Sequence, residues 1–470
     1  MVVTRREFLR SIAGGMAALA TPLECFSDGG RAAKPNIILC MADDMGWGDP
    51  GFNGNSIIKT PNLDAMAAAG LRLKRFYSAA PVCSPTRGSC LTGRHPYRYG
   101  IFSANVGHLR SEEISLAEAL KTQGYTTGHF GKWHLGTLTP DYSGKGPRRK
   151  PQANYMTPAM SGFDEWFSTE FAVATWDPYD PAVFHGKKYD VRALYWHNGT
   201  NVTEKLEGDD SKIIMDRVVP FVRKAAKQNR PFFAVVWFHA PHAPVVAGPP
   251  YRKMYSQYSE DEQHYYGCIT ALDDQVGRLR RELRETGIAD NTLLFFCSDN
   301  GPEGKDGRKG RFRGSAGPFR GRKRSLLEGG VRVPGVFEWP GRIKAGRVTE
   351  APCCTSDYFP TVLDVLGFKM QGQPEPIDGV SLLPLIEDRM AERPMPIAFQ
   401  SASQVSLVDN RYKIYSNNKG RTYALYDLIE DPGEMKDLAK EKPEVLEAMT
   451  KELDKWRASC SHSLAGGDYG

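Results

Sequence analysis

The sequence predicts an α/β domain, a mixed sheet sandwiched by helices, followed by a smaller C-terminal α+β unit. Three observations carry that expectation. Apolar strand-like runs alternate with helical stretches from about residue 35 to 385, the pattern of helices laid on a sheet. Four of those runs end directly in acids, an amide, histidines or a lysine. Prolines then crowd at 374, 376, 384, 394 and 396, and beyond them short strand-like runs lead into one helical stretch. At 470 residues and 52.2 kDa the chain exceeds the roughly 250–300 residues at which a single core stops growing. Two units are therefore expected, at 34–388 and 389–470.

The N-terminus reads Thr4-Arg5-Arg6-Glu7-Phe8-Leu9-Arg10, ahead of an apolar run over 12–19 that is too short to span a bilayer. This is the pattern of a twin-arginine export signal, with a small-residue cleavage site at Ala18-Leu19-Ala20. Cys25 follows Glu24 where a lipid anchor would want a small residue. The expectation is a signal over 1–20 and a soluble mature chain with no integral membrane segment. The twin-arginine translocase would export it, already folded, to the periplasm or the exterior.

The first strand pattern, 35–41, delivers Asp43 and Asp44. Thr60 caps and Pro61 opens a helix over 61–69, ended by Gly70. Ser111-Glu112-Glu113 opens a second helix running to Lys121 and stopped by Gly124. Residues 125–130 lead into Gly131-Lys132-Trp133-His134, and 231–238 end at His239-Ala240-Pro241-His242. An amphipathic helix over 271–286, ended by Gly287, precedes a strand over 291–297 that delivers Asp299 and Asn300. In open α/β sheets ligands bind outside the carboxyl ends of the strands, so these four runs predict one convergent site. Beyond 389, strand patterns at 397–407 and 411–415 precede a helix over 444–456, where Val445, Leu446, Met449, Leu453 and Trp456 share helical spacing.

Lys and Arg exceed Asp and Glu by 61 to 55, a formal charge of +6. That mild excess favours anionic small molecules or glycans, and no nucleic-acid-binding motif accompanies it. Nine cysteines show neither repeated metal-ligand spacing nor the density of a disulfide scaffold. Cys40 and Cys297 lie in apolar runs and read as small buried hydrophobes. Cys83 differs. In Cys83-Ser84-Pro85-Thr86-Arg87 the proline belongs to a helix's first turn, so Cys83 sits at a helix N-terminus, where an anion is stabilised. An unmodified thiol there is expected to be acidic.

At Cys83-Ser84-Pro85-Thr86-Arg87 and Leu91-Thr92-Gly93-Arg94 the chain resembles the type I sulfatases of the alkaline phosphatase superfamily. The resemblance extends through Ala42-Asp43-Asp44-Met45-Gly46, Thr60-Pro61-Asn62-Leu63-Asp64, Gly131-Lys132-Trp133-His134-Leu135-Gly136, Pro241-His242-Ala243-Pro244, Ser298-Asp299-Asn300-Gly301 and Glu328-Gly329-Gly330-Val331-Arg332-Val333-Pro334 to Tyr426-Asp427-Leu428. It implies an alkaline-phosphatase-like fold and a cysteine oxidised to formylglycine by a maturation enzyme before export. The resemblance implies that the hydrated aldehyde attacks sulfur with one hydroxyl and expels sulfate with the other. Asp43, Asp44, Asp299 and Asn300, with residue 83, are implied as metal ligands. Their hard oxygens suit calcium or magnesium, and the resemblance favours calcium. It further implies that Arg87 anchors the diol and metal shell, that Lys132 and His134 contact nucleophile and sulfate, and that His242 and Lys323 bind sulfate and assist the leaving oxygen. Lys323 lies in Arg320-Gly321-Arg322-Lys323-Arg324, and Glu328-Gly329-Gly330 supplies the register that selects it.

The substrate expected is a sulfated carbohydrate. Basic loops at 145–150 and 305–313 are candidates for further anionic contacts, and Thr175-Trp176-Asp177-Pro178-Tyr179-Asp180 for a sugar-contacting loop. Two alternatives stand beside this reading. One is a phosphate or phosphonate ester hydrolase of the same superfamily; the other is a non-catalytic protein that binds anionic glycans through an unconverted Cys83.

Overall fold

The structure, a computed structural model, describes residues 34–180, 190–304 and 310–469. The expected export signal and Cys25 lie outside the described residues, as do Lys305, Arg308 and Lys309 of one basic loop. Six strands carry the large sheet: β1 (Asn36–Ala42), β2 (Thr126–Lys132), β3 (Glu165–Thr169), β4 (Phe232–Trp237), β5 (Thr292–Ser298) and β6 (Gly335–Glu338). Their order is β6-β5-β1-β4-β2-β3, with short strands extending both edges to ten. Strands β1 to β5 are mutually parallel and β6 runs against them. The sheet is therefore mixed, and five carboxyl ends open on one edge.

Side chains alternate across a strand, so Ile37, Leu39 and Met41 enter the apolar layer on one face, and Ile38, Cys40 and Ala42 the layer on the other. Both faces are covered, which is why these strands read as unbroken apolar runs. Helices α1 (Pro61–Ala69), α2 (Cys83–Thr92), α3 (Leu116–Thr122), α4 (Asp210–Lys227) and α5 (Glu260–Glu285) supply the cover. Leu91 and Leu116 pack on the first face; Leu63, Val218 and Leu272 pack on the second. Each such buried side chain contributes about 1.5–3 kcal/mol of transfer free energy.

Two helix starts differ from expectation. Helix α3 begins at Leu116, not at Ser111, because Ser115 and Glu118 form a reciprocal capping box. Glu113 is instead drawn inward, where it accepts a hydrogen bond from Arg94 at 3.2 Å. Helix α5 begins at Glu260, well ahead of residue 271, because Ser259 and Glu262 cap it and its first turn is acidic.

Beyond the prolines, β7 (Ile397–Ser401), β8 (Gln404–Val408), β9 (Tyr412–Ser416) and β10 (Ala424–Asp427) form an antiparallel sheet in sequence order. The run expected over 397–407 is thus a hairpin. Helix α6 (Pro443–Leu464) lays Met449 and Leu453 on Val405, Leu407 and Ile414. Lys413 of β9, fully buried, lies 2.9 Å from both Glu328 and Glu434, and residues from Lys34 onward form one compact unit. No helix among the described residues is long and apolar enough to cross a membrane.

Candidate active site

The carboxyl ends of β1, β2, β4 and β5 meet the N-terminus of α2. Asp43 and Asp299 are held by the backbone: Asp43 N donates to Ala240 O (3.0 Å) and Asp299 N to Ala42 O (3.1 Å). Asp44 (φ 65°) and His134 (φ 61°) adopt left-handed backbone, a costly conformation for these residues that aims their side chains inward. Gly131 makes the approach to Lys132 possible. Its φ is 100°, and a Cβ there would collide with the carbonyl oxygen of Trp237.

Four acidic or amide side chains are interlocked with three cations. Lys132 Nζ lies 2.5 Å from Asp43 Oδ2, and Arg87 lies 2.7 Å from Asp299 Oδ2 and 3.5 Å from Asp43 Oδ2. Lys323 Nζ lies 2.6 and 2.8 Å from the two oxygens of Asp44. Asn300 donates to Asp44 Oδ1 at 2.7 Å. All are buried, so none of these charges could persist unpaired. Burial raises the Asp43 pKa, but Lys132, His242 and Arg87 outweigh it and hold the carboxyl well below its usual range. Asp299 moves the other way, raised by burial and by the charge of Asp43.

Cys83 opens α2 and is 1% exposed. An acidic thiol was the expectation, and the structure corrects it. Burial pushes the thiol up to about 12, outweighing the pull of Lys132 and Lys323. His242 Nδ1 donates to its neighbour Ala243 O (2.6 Å), leaving Nε2 3.7 Å from Asp44 Oδ2. Enclosure lowers its pKa to about 4, opposed by Asp43 and Asp44, so the ring is neutral near pH 7. His134 is likewise lowered, by burial first and then by Lys132 and Arg87.

Ligand atoms of Asp43, Asp44, Cys83 and His242 all lie within 4.8 Å of one another. Two buried oxygens, Asp43 Oδ1 and Asn300 Oδ1, have no hydrogen-bond partner. Orphaned hard oxygens beside two further carboxylates are the donor set for a calcium-type cation, and they fit that ion.

Every residue expected in the site lies in or beside this cluster. Arg322 donates to the carbonyls of Glu303 and Gly314 and Arg324 to the Glu303 carboxylate at 2.7 and 2.8 Å, whereas Lys323 pairs with Asp44, so 323 is the residue in register. A cavity of about 730 Å³ opens above Cys83, lined also by Asn105, Lys145, Phe171, Leu194 and Ala402. Asn105 was not foreseen; its Oδ1 lies 2.9 Å from His134 Nε2, and a lone asparagine in a turn carries no sequence signal for that role. The aromatic stretch at 175–180 does not line the cavity: Trp176 packs against Gly248 and Tyr179 is buried. Phe171, just beyond β3, forms the wall instead. His239, set aside as an uncertain neighbour, is buried beneath the site, with Nδ1 2.6 Å from Asp210 and Nε2 2.8 Å from Thr169.

Comparison with known proteins places this geometry in a family. A model described as Sulfatase matches residues 35–368, and one described as N-sulphoglucosamine sulphohydrolase, C-terminal, matches 317–459. Human N-acetylgalactosamine-6-sulfatase is 34% identical over 389 residues, covering 78% of this chain and 68% of that protein. Mouse arylsulfatase G is 33% identical over 398 residues, covering 77% and 71%. Among solved structures, Ps i-CgsB in complex with k-i-k-neocarrahexaose superimposes with a TM-score of 0.77 at 30% identity, over 90% of this chain and 92% of that one.

Proposed function

The chain belongs to the sulfatase family and is a sulfuric ester hydrolase, and from that premise we propose that it hydrolyses sulfate esters of glycans through a formylglycine made from Cys83 and a bound calcium ion. The observation that carries this reading is the placement of Cys83 at the N-terminus of α2, at the floor of the cavity, between Lys132 and Lys323. A relative named N-acetylgalactosamine-6-sulfatase and a neighbour solved in complex with k-i-k-neocarrahexaose support a sulfated sugar as the substrate class.

In the structure the Cys83 sulfur stands in for the oxygens of the hydrated aldehyde. Formylglycine supplies an oxygen nucleophile and a second hydroxyl whose deprotonation expels sulfate and restores the aldehyde. Asp43, Asp44, Asp299 and Asn300 would hold calcium, which supplies fixed positive charge for the sulfate oxygens. Lys132 and Lys323 bring further positive charge to the cavity floor, where charge spreading over a transferring group is stabilised most in a dry site. Arg87 fixes Asp43 and Asp299 against each other. His134, neutral and hydrogen-bonded to Asn105 through Nε2, is placed to take a proton from the nucleophile side.

The departing alcohol needs a proton, and two groups are in reach. His242 donates its Nδ1 proton to Ala243 O and presents an unprotonated Nε2. Lys323, held by Asp44 with its pKa raised despite burial, carries protons at neutral pH. Lys323 is therefore assigned the proton delivered to the leaving oxygen, and His242 the positioning of sulfate.

The test is turnover of matched sulfate and phosphate esters by protein matured in a host that makes formylglycine, beside a Cys83→Ala control. Sulfate release that the control abolishes supports the reading; preference for the phosphate ester would replace it with a phosphohydrolase. The export and periplasmic destination expected from Arg5-Arg6 belong to the same proposal. Loss of export on Arg5→Lys with Arg6→Lys tests them.

A further inference from the structure

Four cations line the cavity: Lys132, Lys323, Arg324 and Lys145. Three are already engaged. Lys132 is paired with Asp43, Lys323 with Asp44, and Arg324 with Glu303. Lys145 is different: no carboxylate lies within 4.0 Å of its nitrogen among the described residues, and its ammonium stands 4.2 Å above the centre of the Phe171 ring. The nearest acid in that region, Glu170, is taken up by Ser143 at 2.7 Å and Arg149 at 3.5 Å.

The placement is built, not incidental. Phe171 follows β3 by two residues, so the ring rides on the sheet edge that carries the site. Gly144 packs so closely on Phe171 and Ala193 that a Cβ there would collide with both, and the backbone N of Lys145 is held by Ser143 Oγ at 3.2 Å. The loop thus presses against the wall and leaves the lysine at the rim. Residue 145 as a whole is exposed, yet its ammonium is desolvated by its neighbours and repelled by Lys132, which together lower its pKa from the usual lysine value. A charge that is costly in the free protein gains most from an anionic partner.

We propose that Lys145 is a specificity residue that binds a second anionic substituent of the substrate, a carboxylate or another sulfate on the same or the adjoining sugar. This rests on the reading of the cavity as a glycan sulfate ester site. Phe171 supports the lysine stem and offers an apolar face to the sugar ring, while the sulfate to be cleaved sits deeper, between Lys132 and Lys323. The protein then selects multiply charged glycans over singly sulfated ones.

The test measures binding separately from turnover. Cys83→Ser protein, with or without Lys145→Met, is titrated calorimetrically with a monosulfated N-acetylhexosamine, its disulfated counterpart, and a monosulfated disaccharide containing a uronate. Methionine keeps the stem on Phe171 and removes only the charge. The expected result is roughly tenfold tighter binding of one or both doubly charged probes, with that ratio falling to near one in the methionine variant. Comparison of the disulfated and uronate probes tells which anion the subsite takes. A ratio near one in the Cys83→Ser protein, or a ratio that survives Lys145→Met, overturns the proposal. Failure of the hydrolase reading would appear elsewhere, as absent sulfate release by the matured enzyme.

Discussion

Lys323 Nζ lies within 2.8 Å of both carboxylate oxygens of Asp44, while Lys132 Nζ reaches one oxygen of Asp43 at 2.5 Å. The two lysines look equivalent in charge but are assigned different work. Either Lys→Ala substitution is expected to cost about 10²–10³ in kcat/KM on a sugar sulfate, the size of losing one preorganised donor. Only Lys323→Ala loses the proposed proton donor. Its deficit is expected to shrink at least about tenfold on an aryl sulfate with an acidic phenol, which departs without that proton, whereas the Lys132→Ala deficit stays the same on both. Parallel kinetics on the two substrates check this, and equal rescue of both variants would reject the division of roles.

Asn105 holds His134 Nε2 at 2.9 Å from a turn outside the sheet. Asn105→Ala is expected to lower kcat about 10- to 100-fold, the cost of freeing a ring whose orientation matters. Thermal stability should move little, since Asn105 is a half-buried turn residue. A matching drop in melting temperature would instead mark Asn105 as structural.

Orphaned Asp43 Oδ1 and Asn300 Oδ1 imply that calcium stabilises the native state. With calcium at a hundred times its dissociation constant the gain is about 2.7 kcal/mol, visible as a chelator-sensitive rise in unfolding midpoint. Asn300→Ala should weaken that rise. An unfolding midpoint indifferent to calcium in the wild type contradicts the metal assignment.

Lys413, buried between Glu328 and Glu434, joins the small antiparallel sheet to the segment ahead of Gly329 and Gly330. Lys413→Met leaves Glu434 buried without a cation and Glu328 with only Arg332, 3.3 Å away, and is expected to destabilise the fold by about 3–5 kcal/mol. Urea unfolding measures it.

His95 is 2% exposed, and burial lowers its pKa to about 3, with Asp378 opposing. The unfolded chain titrates near 6.5, so between those values the unfolded state binds the extra proton. Stability is full above about 6.5 and falls as pH drops toward 3, by up to about 1.4 kcal/mol per pH unit for this one group. His95→Gln should flatten the pH dependence in that window by the same amount. An unchanged slope would exclude His95 as a contributor.

The candidate active site was legible because parallel strands buried on both faces read as unbroken apolar runs, and each delivers its polar residues immediately past its end. Asp43, Asp44, Lys132, His242, Asp299 and Asn300 could be assigned to one edge before any order of strands was known. What stayed hidden depends on loops. Asn105 meets His134, and Lys145 meets Phe171, only once turns far apart in sequence close over the sheet, and no periodicity encodes that closure. Trp176 misled because an aromatic beside acids resembles a sugar platform, yet its ring is spent on Gly248. Local rules failed at Ser111 because Glu113 finds a better partner in Arg94 than in a helix's first turn.

The central claim is the conversion of Cys83. Mass spectrometry of the peptide spanning residue 83, from protein made with a maturation enzyme and treated with a carbonyl-trapping hydrazine, tests it directly. A hydrazone at residue 83, in protein that releases sulfate, is the expected result. An intact thiol in fully active protein would contradict it.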